Sequence, residues 1–254
     1  ESILQGREAP ALHPAPLAFA ADDKGSSGDS DSKAARRYFH YDRSNFGDRF
    51  DGVVDRFGHQ VTLRMNLDFE DMGRPEGKEA RITRFRTRAK QVIEETWSGV
   101  HALRSVCHGS QENFEARVVV DTSGKNPHQT IYVHPDIPGA RSNSTNWKEN
   151  AVEWQERKSA VRPDPKKPPV ETTFYQRAAA HEFGHLIGLS HIHCEGNDDR
   201  CYGVSGEQKM DIMGMGSVVS RRDYEPFIRI MTRYGQDTLP ASCNKWKLVE
   251  PGDR

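Results

Sequence analysis

The stretch that most constrains this chain runs from residue 181 to residue 191, His181-Glu182-Phe183-Gly184-His185-Leu186-Ile187-Gly188-Leu189-Ser190-His191. Two histidines four apart on a helix lie about 40° apart around its axis, so His181 and His185 can reach one ion from the same face. Glu182 is displaced about 60° from His185, beside the ligands rather than among them, where its carboxylate can serve as a general base towards a water at the metal. His191 cannot share that straight face. Gly188 can take a positive φ, end the helix and fold the chain back. His191 then completes three nitrogen ligands and leaves a fourth position open, the arrangement of a catalytic zinc site.

Upstream, Thr173-Phe174-Tyr175-Gln176 has capping-box spacing and Ala178 to Ala180 favour helix, so a helix is expected over about 174–187. Tyr175, Ala179, Phe183, Leu186 and Ile187 would face a core, with His181, Glu182 and His185 facing a cleft. Val61 to Phe69 alternates apolar and polar side chains, as a half-buried strand does. Residues 78–102 carry Ile82, Phe85, Ala89, Val92, Ile93, Thr96 and Val100 at helical spacing. Strands are expected at Glu115 to Asp121 and Thr130 to His134, as a hairpin or as neighbours through a longer connection. Residues 135–170 read as irregular, with Trp147 and Trp154 packing the stretch onto the domain. A short C-terminal helix is expected over Asp223 to Tyr234.

The pattern H-E-x-x-H-x-x-G-x-x-H resembles the metzincin clan of zinc metallopeptidases, and Asp211-Ile212-Met213-Gly214-Met215-Gly216 looks like the clan's methionine-containing turn, with Met213 the better candidate and Met215 the reserve. The resemblance implies an α+β domain: a small twisted mixed sheet with a backing helix, an active-site helix and a C-terminal helix. It implies one catalytic Zn2+ on His181, His185 and His191, Glu182 as general base, and an edge strand that binds substrate, for which Thr130, Ile131, Tyr132, Val133 and His134 are the candidates. Ile192, just after the third ligand, matches no family within the clan. His193 is a less well-spaced alternative ligand. Where several metzincin families have a tyrosine, two residues after the turn methionine, this chain has Met215, and Tyr202 or Tyr224 could take that place.

The 254 residues suit one catalytic domain over 36–254 after a tail, linker or remnant prosegment at 1–35, which is rich in Pro, Ala, Gly, Ser and Asp. An inhibitory prosegment or partner inhibitor would fit the clan. The tail has no cysteine for that purpose, and Asn45-Phe46-Gly47-Asp48 only loosely resembles an aspartate plug. With 36 basic and 37 acidic residues the net charge is −1, so no global field favours nucleic acid, and the basic run from Lys78 to Lys90 reads as a solvated helix face. No apolar run approaches a membrane span. Four cysteines favour disulfides and a secreted or exported destination, with Cys194 to Cys201 across a short polar loop and Cys107 to Cys243 then following by elimination; the alternative is four buried or free thiols. Calcium on Glu195, Asn197, Asp198 and Asp199 is a weaker reading of that loop, which lacks the alternation of a calcium-binding loop. The expected activity is that of a monomeric zinc endopeptidase acting on protein or peptide substrates, a secreted protease or a bacterial toxin or effector. The alternative is a catalytically inactive zinc-containing binding or structural domain.

Overall fold

The computed structural model describes residues 38–249 except 42–45, 48, 108–111, 137–141, 163–165, 167, 195, 197 and 239–244, and these belong to one compact unit, Arg36–Arg254. Ten strands and four α-helices follow in the order β1 (Tyr38–Tyr41), β2 (Asp51–Asp55), β3 (Gln60–Asp71), α1 (Lys78–Trp97), β4 (Ala102–Ser105), β5 (Asn113–Asp121), β6 (Gln129–His134), β7 (Asn146–Lys148), β8 (Gln155–Val161), β9 (Val170–Gln176), α2 (Ala178–Leu186), α3 (Gly206–Met210), α4 (Glu225–Thr238) and β10 (Trp246–Val249). The architecture is mixed α+β, with a twisted mixed sheet and helices packed on it.

The centre of the sheet is β3, whose residues from Val61 to Phe69 alternate inward and outward. Its first half pairs antiparallel with β2 and parallel with β5, and Leu67 to Asp71 pairs parallel with β6. Sheet order is β1-β2-β3-β5-β4-β10, with β6 on β3 and β7 outside β6. The expected strands at 115–121 and 130–134 are therefore not partners of each other. Both use β3, one on each half of its length.

The backing helix α1 ends at Trp97 rather than at residue 102, because Ser98 is extended and Gly99 has φ 71°. Ile82, Phe85, Ala89, Val92, Ile93 and Trp97 are buried, and a side chain the size of Val, Ile or Phe contributes roughly 1.5–3 kcal/mol when fully removed from water. Three of the basic residues opposite are paired, Arg81 with Asp71, Arg86 with Asp68 and Lys90 with Glu94. Trp97 locates the next layer: its indole Nε1 donates to the Ala180 carbonyl at 3.0 Å and its ring lies 5.8 Å from that of Phe183. That seats α2 on α1.

Two expectations are corrected. Residues 173–176 form strand, not helix, because β9 pairs antiparallel with β8 from Val161↔Val170 to Gln155↔Gln176. β-Branched and aromatic side chains at 170–175 suit that pairing, and it overrides the capping-box pattern. Strand alternation then buries Phe174 and leaves Tyr175 exposed, opposite to the helical reading. The stretch 135–170, expected to be irregular, contains β7, β8 and a 3-10 turn at Glu149–Val152. Trp147 is buried there, while Trp154 is exposed and carries the Arg177 guanidinium 4.5 Å from its ring centre. The C-terminal helix begins after a 3-10 turn at Arg221–Tyr224 and buries Phe227, Ile230, Met231 and Tyr234.

Candidate metal centre

Helix α2 supplies His181, Glu182 and His185 and ends as its glycine requires. Gly188 has φ 99°, its N–H donates to the His185 carbonyl at 3.0 Å, and the Leu189 N–H donates to the Gly184 carbonyl at 2.9 Å. This paired closure, with a left-handed residue after the helix, reverses the chain and returns His191 to the helix face.

The three side chains converge. His191 Nε2 lies 3.2 Å from His181 Nε2 and 3.1 Å from His185 Nε2. For the two helical histidines the distal nitrogen faces the common point because the proximal one is occupied: His181 Nδ1 lies 2.6 Å from the Ile212 carbonyl and His185 Nδ1 lies 2.8 Å from the Leu189 carbonyl. Both carbonyls only accept, so each Nδ1 carries the proton and each Nε2 keeps a lone pair. Nitrogens on a tetrahedral ion at about 2.0–2.1 Å would stand about 3.3–3.4 Å apart, close to the two separations from His191, and all three ligand atoms lie within 4.8 Å of one another. Burial, followed by the neighbouring His185, holds His181 well below the usual imidazole range, and the same causes bring His191 down to about 4. Neutral, converging imidazoles can hold a metal ion, and among the described residues this is the group of three or more ligating side chains that can do so.

Glu182 is 6% exposed, and burial lifts its carboxyl to about 7, opposed by the charge of Arg157. No described protein group donates a hydrogen bond to it. Met213 lies fully buried beneath the site, its sulfur 2.3 Å from where a Cβ on Gly184 would stand. The turn around it is tight: the Met213 N–H donates to Asp211 Oδ1 at 2.7 Å, and the Gly214 and Gly216 N–H groups donate to the Asp211 carbonyl. The reserve, Met215, lines the cleft instead.

Several residues around the site were invisible to pattern reading. Gln176, 1% exposed, has its amide nitrogen within 3.0–3.1 Å of the carbonyls of Ile212, Gly214 and Gly216, so it ties the end of β9 to the methionine turn. Its Oε1 accepts from Arg157 at 3.0 Å. The Tyr202 ring lies 4.3 Å from that of His191, whereas Tyr224 is buried elsewhere, its hydroxyl donating to the Trp97 carbonyl. Of the two tyrosines considered, Tyr202 is the one at the site. Lys209, fully buried, reaches Asp199 and Ser159 and anchors the loop after His191 to β8. No spacing rule announces these residues, because each acts through a contact between distant segments.

Other sequence expectations resolve as follows. Cys194 and Cys201 form a disulfide. Cys243 lies outside the described residues, and with it the pairing to Cys107. Asn45 and Asp48 also lie outside them. His193 is exposed, with Nε2 3.1 Å from Gln208 Oε1, and is not in the cluster. Of the calcium set, Glu195 and Asn197 lie outside the described residues and Asp199 is engaged by Lys209. The candidate substrate strand Thr130 to His134 lies between β3 and β7, with Tyr132, Val133 and His134 paired to β7, and none of its residues lines the cleft. The cleft, about 900 Å³, is walled instead by Gln155, Glu156, Arg157 and Lys158 of β8, with His181, Glu182, His185 and His191 along it.

No protein-family model matches the chain. Neither a curated protein nor a solved structure is significantly similar to it.

Proposed function

We propose that this chain is a zinc-dependent endopeptidase of metzincin-like design that hydrolyses extended protein segments. The observation that carries the reading is the placement of Glu182. A buried carboxyl with no described protein donor is unfavourable by itself, and a structural metal site has no use for one beside three neutral histidines. Raised to about 7, such a group can exchange a proton near neutral pH.

His181, His185 and His191 would hold the zinc, which supplies Lewis acidity: it polarises a scissile carbonyl and makes water a better nucleophile. The Glu182 carboxylate takes the proton of the attacking water and returns it to the leaving nitrogen. The Ile212 and Leu189 carbonyls keep His181 and His185 in the ligating tautomer, and Met213 fills the floor without ligating. Among the described residues β8 pairs only with β9, so its outer edge along the cleft suits main-chain pairing with an extended segment. The Cys194–Cys201 disulfide is in keeping with a secreted or exported protein.

The test is metal content together with hydrolysis of an unfolded protein, for the parent and for Glu182→Gln. About one zinc per chain in both, with cleavage by the parent alone, is expected. Absence of zinc from both, or equal cleavage by both, would sink the reading.

A further inference from the structure

The cleft is lined by two arginines, Arg49 and Arg157, that close no ion pair among the described residues, although the charge of Arg157 is felt by Glu182. Arg157, half-buried on β8, donates to the amide oxygen of Gln176 at 3.0 Å and lies 5.2 Å from the centre of the Tyr202 ring. Arg49, exposed, lies at the Gly188 turn beyond His185, its Nη1 2.7 Å from where a Cβ on Gly188 would be. Among the described residues neither arginine has an ion pair. The other charges along the cleft are matched: Lys148 with Asp136, Lys158 with Glu156, and Asp199 with Lys209. Glu182 is reserved for proton transfer. A chain of net charge −1 thus concentrates unpaired positive charge in its cleft, one cation near His181 and the other past His185.

The manner in which Arg157 is held favours anion recognition. A guanidinium offers five N–H donors in a plane, and a neutral amide oxygen uses one without cancelling the charge. The aromatic face of Tyr202 fixes the plane and leaves the remaining donors for a planar, two-point acceptor. A carboxylate has that shape.

We propose that the cleft selects chain segments carrying Asp or Glu on either side of the bond placed at the three histidines, with Arg157 and Arg49 as the carboxylate-binding residues. This rests on the peptidase reading in that the occupant is a polypeptide.

Binding separates the two ideas. Glu182→Gln protein, loaded with zinc, is titrated against a fluorescein-labelled unstructured twelve-residue peptide containing four glutamates, and against its counterpart with glutamines. The glutamate peptide is expected to bind roughly ten-fold more tightly at low salt, and the ratio should shrink as added salt screens the contacts. Arg157→Gln and Arg49→Gln should each lower the ratio, and together bring it near one, with zinc content and unfolding midpoint unchanged. Arg157→Lys should restore part of it. A purely structural Arg157 would lower the midpoint and leave the ratio where it was. Equal affinity for the two peptides, no binding of either, or a ratio untouched in the double variant would overturn the proposal. A preference that survives in a protein whose parent cleaves neither peptide would overturn the peptidase reading and leave this one standing.

Discussion

Gly184 stands between the two helical histidines, and its missing side chain is where the methionine turn approaches. A Cβ there would lie 2.3 Å from Met213 Sδ and 3.2 Å from both Met213 Cε and Trp97 Cζ2. Ordinary contacts of this kind sit at about 3.5–4.0 Å, so the sulfur would have to move by more than ~1 Å. Met213 and Trp97 are both fully buried and have no solvent to move into. Overpacking of this sort costs about 1–3 kcal/mol. Replacing a helical glycine by alanine returns at most ~1 kcal/mol. Gly184→Ala should therefore lose roughly 1–2 kcal/mol net, read as a lower urea midpoint at unchanged m. It should also weaken zinc binding, because a displaced Met213 drags the adjoining Ile212 carbonyl that orients His181. Met213→Ala alone opens a cavity worth about 2–5 kcal/mol. In the double variant the new methyl enters that cavity, so the combined loss should fall short of the sum by at least ~1 kcal/mol. A Gly184→Ala midpoint at or above the parent's, with a strictly additive double variant, would show that the turn does not press on this helix.

Other outcomes can be checked alongside. Asp199→Ala strands the buried Lys209 ammonium and should cost about 3–5 kcal/mol, whereas Lys209→Met leaves the half-exposed Asp199 free to hydrate and should cost less; the reverse order of urea midpoints would contradict the burial described. Burial, with Asp211 beside it, lifts the Asp223 carboxyl from 3.8 to about 7. The folded state therefore holds its proton more tightly than the unfolded one, so stability should fall as pH rises through that window, and Asp223→Asn should flatten the profile of urea midpoint against pH. Opening the Cys194–Cys201 loop, seven residues apart, by a double serine replacement should cost roughly 2–3 kcal/mol and reduce zinc affinity, since the loop follows directly on His191; calorimetry and metal competition would measure both.

What the sequence made legible were features carried by local periodicity or by a fixed spacing. The three-histidine cluster, the glycine that ends α2, the methionine-containing turn, the central strand and the backing helix all have such signatures. The hairpin β8–β9 does not. Thr173 to Gln176 satisfies a capping-box spacing and precedes three alanines, and only pairing with a strand more than ten residues away decides that it is extended. The same pairing sets β8 along the cleft, a placement that no local spacing announces. Gln176 and Lys209 were equally hidden, since a buried amide or ammonium is recognised by the distant carbonyls and carboxylates it meets.

Along β8 the two-residue alternation separates anchorage from display. Ser159 and Val161 point inward, the first meeting Lys209 and the second packing with Phe174, Tyr202 and Met215, while the half-buried Arg157 is tied through Gln176 to the methionine turn and still lines the cleft. Glu156, Lys158 and Ala160 point outward, and the first two look along the cleft. Substitution on that outer register would change the face shown to the cleft while leaving the inward contacts of β8 in place. The wall of the cleft is thus free to diverge faster than the scaffold beneath it.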